Sequence, residues 1–170
     1  RDSGAKVALT DFQTFHTPQL VSPDSLYRAL CSSISRQLKL GVKPEAVWDP
    51  YNSPNGNFVN YMENEVLAKL SVPFVWALDE VDRLFSCDFA SDVFSLFRTW
   101  HSARVFDPWG PWSQLTLAIA HATETSLFID DMNQSPFNVG TQLRLEDFTF
   151  EQVMDLNLRY GSPLRTEEEV

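Results

Sequence analysis

Two adjacent carboxylates, Asp79 and Glu80, close an unbroken apolar run, Phe74-Val75-Trp76-Ala77-Leu78, and a third acid, Asp82, follows two residues later. An acid pair at the tip of a buried strand suits Mg²⁺-nucleotide chemistry. The first, Asp79, can hold Mg²⁺ through its water shell, because Mg²⁺ dehydrates reluctantly. The second, Glu80, can orient and deprotonate an attacking water. Metal binding and water activation occur on opposite sides of one γ-phosphate, so the two acids must be neighbours that point apart. A strand that simply ends in solvated acids has the same pattern, and both readings stand on the pattern alone. Asp82 reads as a local ion-pair partner of Arg83, a contact worth about 0–1 kcal/mol when exposed.

Other groups are weighed in the same way. A second apolar run, "QLTLAIA", leads into "HATET", which places His121, Thr123 and Glu124 at another strand tip. The competing role for His121 is a hydrogen bond to a loop backbone. Asp11 ends the short β-type run "KVALTDF" and can help hold water or metal, or can cap a turn. His16 and His101 read as surface or helix-flank residues. Arg98 and Arg104 are candidate arginine fingers, against the commoner role of helical surface arginines. The loop "VFDPWGPW" reads as aromatic packing over the sheet. No G-x-S-x-G elbow surrounds any serine, and "IDDMNQS" lacks calcium-loop spacing.

Composition bounds these readings. At 170 residues, 44% hydrophobic and 21% charged, the chain reads as one soluble globular domain with a core rich in aromatics, since it has 13 Phe and five Trp. A net charge of −10 disfavours broad phosphate-backbone binding, though not a small polyanion held through Mg²⁺. Cys31 and Cys87 lack metal-ligand spacing and fit buried thiols in a reducing compartment. No apolar run approaches 18 residues and the N-terminus has no signal-peptide character, so a cytoplasmic location is expected, with no membrane partner.

The elements that must position the acids follow from pattern. "SPDSLYRALCSSISRQLKLG" is a helix with Ser22 as N-cap, Pro23 in its first turn, Gly41 as stop, and Leu26, Leu30, Ile34 and Leu38 on its buried stripe. "KPEAVWDPYNSPNGN" reads as turn-forming throughout. Val59, Met62, Val66 and Leu70 keep helical spacing in "FVNYMENEVLAKL". The run from Phe74 lacks alternation, as expected of a strand covered on both faces in a parallel sheet. "DFASDVFSLFRTWHSA" is helical, "TQLRLEDF" reads as a strand, and Thr149 with Gln152 forms a capping box opening the last helix, which Gly161 stops. Strands alternating with helices give an α/β fold with a mostly parallel sheet, whose ligands bind at the carboxyl ends of the strands.

"FVWALDEVDRLF", "FSLFRTWH", "LTLAIAHATE", "SPFNVG" and "DFTFEQVMDLNLRYG", in that order, resemble the AAA-like P-loop ATPase domain of bacterial multidomain signalling and conflict proteins, similar to the signal-transduction ATPases with numerous domains. The resemblance runs from "VALTDFQ" to "LRYG". It implies a P-loop NTPase-like three-layer sandwich, with residues 1–148 as the ATPase core and 149–170 as the start of a C-terminal helical or lid extension. It makes "ALDEVDRLF" the Walker B segment, with Asp79 as the Mg²⁺-side acid and Glu80 as the catalytic base. His121 and Thr123 fall where such ATPases sense the γ-phosphate of ATP. One departure stands out. None of the six glycines (Gly4, Gly41, Gly56, Gly110, Gly140, Gly161) is followed by Lys, so no G-x-x-x-x-G-K-[ST] loop is present. The expectation is a fragment whose phosphate loop and first strand lie upstream, with the Walker B strand packed beside that missing strand, and no ATP hydrolysis by this chain alone.

Expected partners are nucleotide, fused effector domains and further copies in a homo-oligomer, and no nucleic acid. The alternative to an ATP-binding switch is a non-catalytic interaction scaffold with the same fold. A third reading, a Mg²⁺-dependent nuclease using Asp11, Asp79 and Glu80, is disfavoured by the negative charge.

Overall fold

A computed structural model describes residues 4–123 and 136–164. The chain divides into two compact units, Arg1–Gly140 and Thr141–Val170. Among the described residues, the first unit holds three strands, β1 (Lys6–Asp11), β2 (Phe74–Asp79) and β3 (Leu115–Ile119), in the order β1-β2-β3 with both pairings parallel. The fold is α/β, as the alternation of elements implied. β2 is the central strand of the three, paired along its length with β1 on one side and β3 on the other. The expectation that β2 packs directly beside a missing phosphate-loop strand is therefore corrected, because both of its hydrogen-bonding edges are taken.

Side chains alternate across this sheet. Ala8, Thr10, Phe74, Trp76, Leu78 and Leu115 are buried on one face. Val75 and Ala77 are only half-buried on the other, and their β1 neighbours Val7 and Leu9 are 61% and 53% exposed. β2 is thus less fully covered than its unbroken apolar sequence suggested. The run is apolar because its second face still lies among Val7, Leu9 and Ala118, not because helices enclose it equally.

The covered face meets an aromatic core. Trp76 stands edge-on to Phe58 and Phe97, at centroid distances of 6.2 and 5.9 Å, and Trp100 stacks on Trp112 at 4.5 Å. Such pairs are worth about 0.5–1.5 kcal/mol each beyond the area they bury. The Trp76 indole N–H donates to Thr10 Oγ1 at 2.9 Å, which satisfies the one polar atom that the strand sends into the core.

Helix α1 (Pro23–Leu38) begins as its sequence dictates, with Ser22 Oγ accepting from the Ser25 N–H. It ends earlier than Gly41, because Lys39 itself adopts the left-handed conformation that closes the helix. The proline-rich segment is more ordered than a run of breakers implies. Pro54 occupies the first turn of α2 (Pro54–Asn60), where its missing N–H costs nothing, and Ser53 caps it. The helix then widens into a π-type stretch, Tyr61–Val66. Helix α3 (Ala90–Phe106) crosses from β2 to β3, burying Val93, Phe94, Leu96, Phe97 and Trp100.

In the second unit the expected strand "TQLRLEDF" is absent: residues 141–149 form neither strand nor helix. Alternation alone does not make a strand, and no partner among the described residues pairs with this segment. Helix α4 (Phe150–Arg159) follows with the capping box complete, Thr149 and Gln152 each bonding the other's backbone N–H.

Candidate functional site at the strand tips

Parallel pairing brings three strand ends to one edge. Asp11 and Asp79 are register partners on neighbouring strands, and both fall on the less covered face by the period of two. Each carboxylate is used locally. Asp11 accepts from the Gln13 N–H at 2.8 Å and so caps a short turn, and Asp79 Oδ1 accepts from the Glu80 N–H at 3.0 Å. The turn-capping role of Asp11 is what the structure supports. Asp79 is exposed at the tip, and Oδ1 is the carboxylate oxygen that the Glu80 N–H engages.

Glu80 has φ 55° and ψ 39°, the left-handed region, without being glycine. That conformation costs an ordinary residue about 1–2 kcal/mol. It turns the chain at the strand tip, directly after Asp79. The Glu80 carboxylate is exposed and has no protein partner among the described residues. Immediately beyond, Val81 is buried and anchors the turn.

The loops after β2 and β3 are joined. The ladder continues past the strands, with the Ala120 N–H donating to the Leu78 carbonyl at 2.8 Å and Val81 N–H to the Ala120 carbonyl at 3.4 Å. Asp82 completes the link: its carboxylate accepts from the Ala122 N–H at 3.1 Å and from the Thr123 N–H at 2.6 Å. Partial burial pushes the Asp82 carboxyl upward, but the Thr123 hydroxyl and the two backbone N–H groups outweigh it and hold the acid below the usual range. The ion pair with Arg83 expected from sequence is replaced by this long-range clasp. Its partners are backbone amides some 40 residues away, which leave no mark in side-chain chemistry. The one usable signal was the position of the acid, three residues past a strand end, where it can reach the tip of the next strand.

The structure thus brings Asp79, Glu80 and Thr123 to one edge through the clasp. His121 is at the same edge, but its ring is engaged: Nδ1 lies 2.9 Å from the Thr123 carbonyl oxygen and the ring stands edge-on to Phe137 at 4.9 Å. Glu124 and the "IDDMNQS" segment lie outside the described residues. Arg98 donates to Asn138 Oδ1 at 2.6 Å, which gives it a structural role inside the unit. Arg104 sits in the last turn of α3, which runs back towards the N-terminal ends of the strands, away from the acids. There it lines a shallow depression of about 420 Å³ with His101, Val105, Pro108 and Ser113. Neither cysteine joins the site. Cys31 is buried and burial drives its thiol well up, while Cys87 is pushed up by partial burial and by Asp88.

Among the described residues no three His, Cys, Asp or Glu side chains converge as a metal site. The nuclease reading, which needs Asp11, Asp79 and Glu80 together, has no such cluster to stand on. Mg²⁺ on a nucleotide needs less, since it is typically held by one or two carboxylates plus the phosphates. The exposed carboxylate of Asp79 fits that requirement.

The acids thus stand at the carboxyl ends of a parallel α/β sheet, the edge where folds of this class bind their ligands. A family model for the AAA-like domain matches residues 1–170, and the chain belongs to that family. It is also 27% identical over 121 residues to an uncharacterized WD repeat-containing protein of Synechocystis sp., a match covering 70% of this chain and 10% of that protein. The chain therefore spans about a tenth of the length of that relative. No solved structure matches. Membership ties the chain to ATPase-like, nucleotide-binding function in general terms. No helix among the described residues is long and apolar enough to cross a membrane.

Proposed function

We propose that this domain is the Walker B half of an Mg²⁺-ATP-binding switch, acting within a larger signalling or defence polypeptide. The observation that supports it most is the convergence of Asp79, Glu80 and Thr123 at the carboxyl ends of parallel strands in an AAA-like chain. Asp79 would hold Mg²⁺, which when bound offsets the charge on the phosphates. Glu80, exposed beside Asp79, orients an attacking water and accepts its proton. Thr123, and with it His121, reads the γ-phosphate position from the neighbouring loop. The chain's own glycines provide no phosphate cradle, so the backbone donors for the phosphates come from elsewhere in the polypeptide. Nucleotide occupancy would then pass to fused effector domains or neighbouring copies in the cytoplasm.

The scaffold reading keeps one specific support: His121 is committed to Thr123 and Phe137, as a purely structural residue would be. Turnover separates the two. Full-length polypeptide is expected to hydrolyse ATP with Mg²⁺, and Glu80→Gln to lose about a hundredfold or more of that rate, as removal of a general base does, while still binding nucleotide. A full-length protein that neither binds nor hydrolyses ATP makes the acid pair structural and the domain a scaffold.

A further inference from the structure

We propose that Asp82 is a positioning residue that fixes the Glu80 turn against the Thr123 loop, so that the water-handling acid and the γ-phosphate sensor hold one mutual placement. The role rests on the nucleotide reading above. Beyond the Leu78–Ala120 pairing, the β2 and β3 loops are joined by the Val81–Ala120 bond, long at 3.4 Å, and by the Asp82 carboxylate. Two consecutive backbone N–H groups, Ala122 and Thr123, converge on that carboxylate. Donors from the sensor loop are therefore gathered by an acid two residues from the proposed base.

The geometry also explains how Glu80 stays in a left-handed conformation that its side chain disfavours. Buried Val81 on one side and the clasped Asp82 on the next hold the turn. Without the clasp, the turn can relax and the Thr123 loop is released with it. Oδ1 alone accepts from both N–H groups, so asparagine in place of Asp82 can keep that oxygen but loses the charge and sets an N–H₂ where Oδ2 accepts from Ala122, whereas alanine removes every acceptor.

The test uses full-length polypeptide carrying Asp82→Asn or Asp82→Ala, assayed below the melting temperature of each variant. Steady-state ATP hydrolysis and amide hydrogen exchange are both measured. The expected result is a fall in kcat of about tenfold to a hundredfold, with KM for Mg²⁺-ATP nearly unchanged. Protection is expected to fall at the Ala122 and Thr123 amides and to persist in β2 and β3. A structural role alone would lower stability without this split between kcat and KM. Lost protection at both amides with an unchanged kcat overturns the positioning role, and so does protection that survives in both variants. If the unaltered protein shows no turnover, the nucleotide reading fails and takes this role with it, while a turning-over protein with unaffected variants sinks this role alone.

Discussion

Glu80 carries a conflict that physical chemistry makes measurable. A non-glycine residue in the left-handed region is strained by about 1–2 kcal/mol, and glycine there pays only a smaller entropic cost of about 0.5–1 kcal/mol. Glu80→Gly is therefore expected to leave stability unchanged or raise it by up to about 1 kcal/mol, read by denaturant unfolding. A clear loss of stability would mean that the Glu80 side chain makes contacts that hold the fold. Asp82 carries the opposite signature. Its folded-state carboxyl titrates below its unfolded value, because partial burial, which opposes ionisation, is outweighed by hydrogen bonding to the ionised form from Thr123, Ala122 and its own backbone. The stabilisation is thus present above the ordinary carboxylate range and lost as pH falls through the depressed folded value. Unfolding free energy measured against pH is expected to decline on the acid side, and Asp82→Asn to flatten that decline. An acid limb of equal slope in the variant would remove Asp82 from the account.

At the scale of elements, one outer strand of the sheet has a side-chain cover. Gln37 of α1 lays its amide along the free edge of β1, donating to the Leu9 carbonyl at 2.8 Å and accepting from the Leu9 N–H at 2.9 Å. It occupies the place of a further strand and blunts an edge that would otherwise template pairing. Gln37→Leu is expected to cost about 0.5–1.5 kcal/mol and to increase concentration-dependent self-association, followed by light scattering. Unchanged association would show that the edge needs no such cover. The elements also show which signals a sequence transmits. α1 was legible because its cap and its apolar stripe are both local. α2 was not, since a proline at the first helical position looks like a breaker until the Ser53 cap is recognised. Residues 141–148 alternate like a strand, but strand formation needs a partner that sequence does not name.

For the whole molecule, a parallel sheet with an acid-tipped strand was readable from the apolar run Phe74–Leu78 and its abrupt end, whereas that strand's place between β1 and β3 was not. What joined the site was not, because the Asp82 clasp reads backbone amides on another strand's loop and not a side chain. The same topology separates Arg104 from the acids, a distance that spacing along one helix cannot express. Thirteen Phe and five Trp foretold an aromatic core, and the core now appears as support on one face of the sheet beneath the tip. The proposed function turns on whether Asp79 at that tip meets Mg²⁺-nucleotide. The most direct measurement is the affinity of full-length Glu80→Gln for ATP, with and without Mg²⁺, beside the same protein carrying Asp79→Ala as well. The account expects Mg²⁺ to tighten binding in the first protein and to lose most of that effect in the second. Equal Mg²⁺ dependence in both would contradict it.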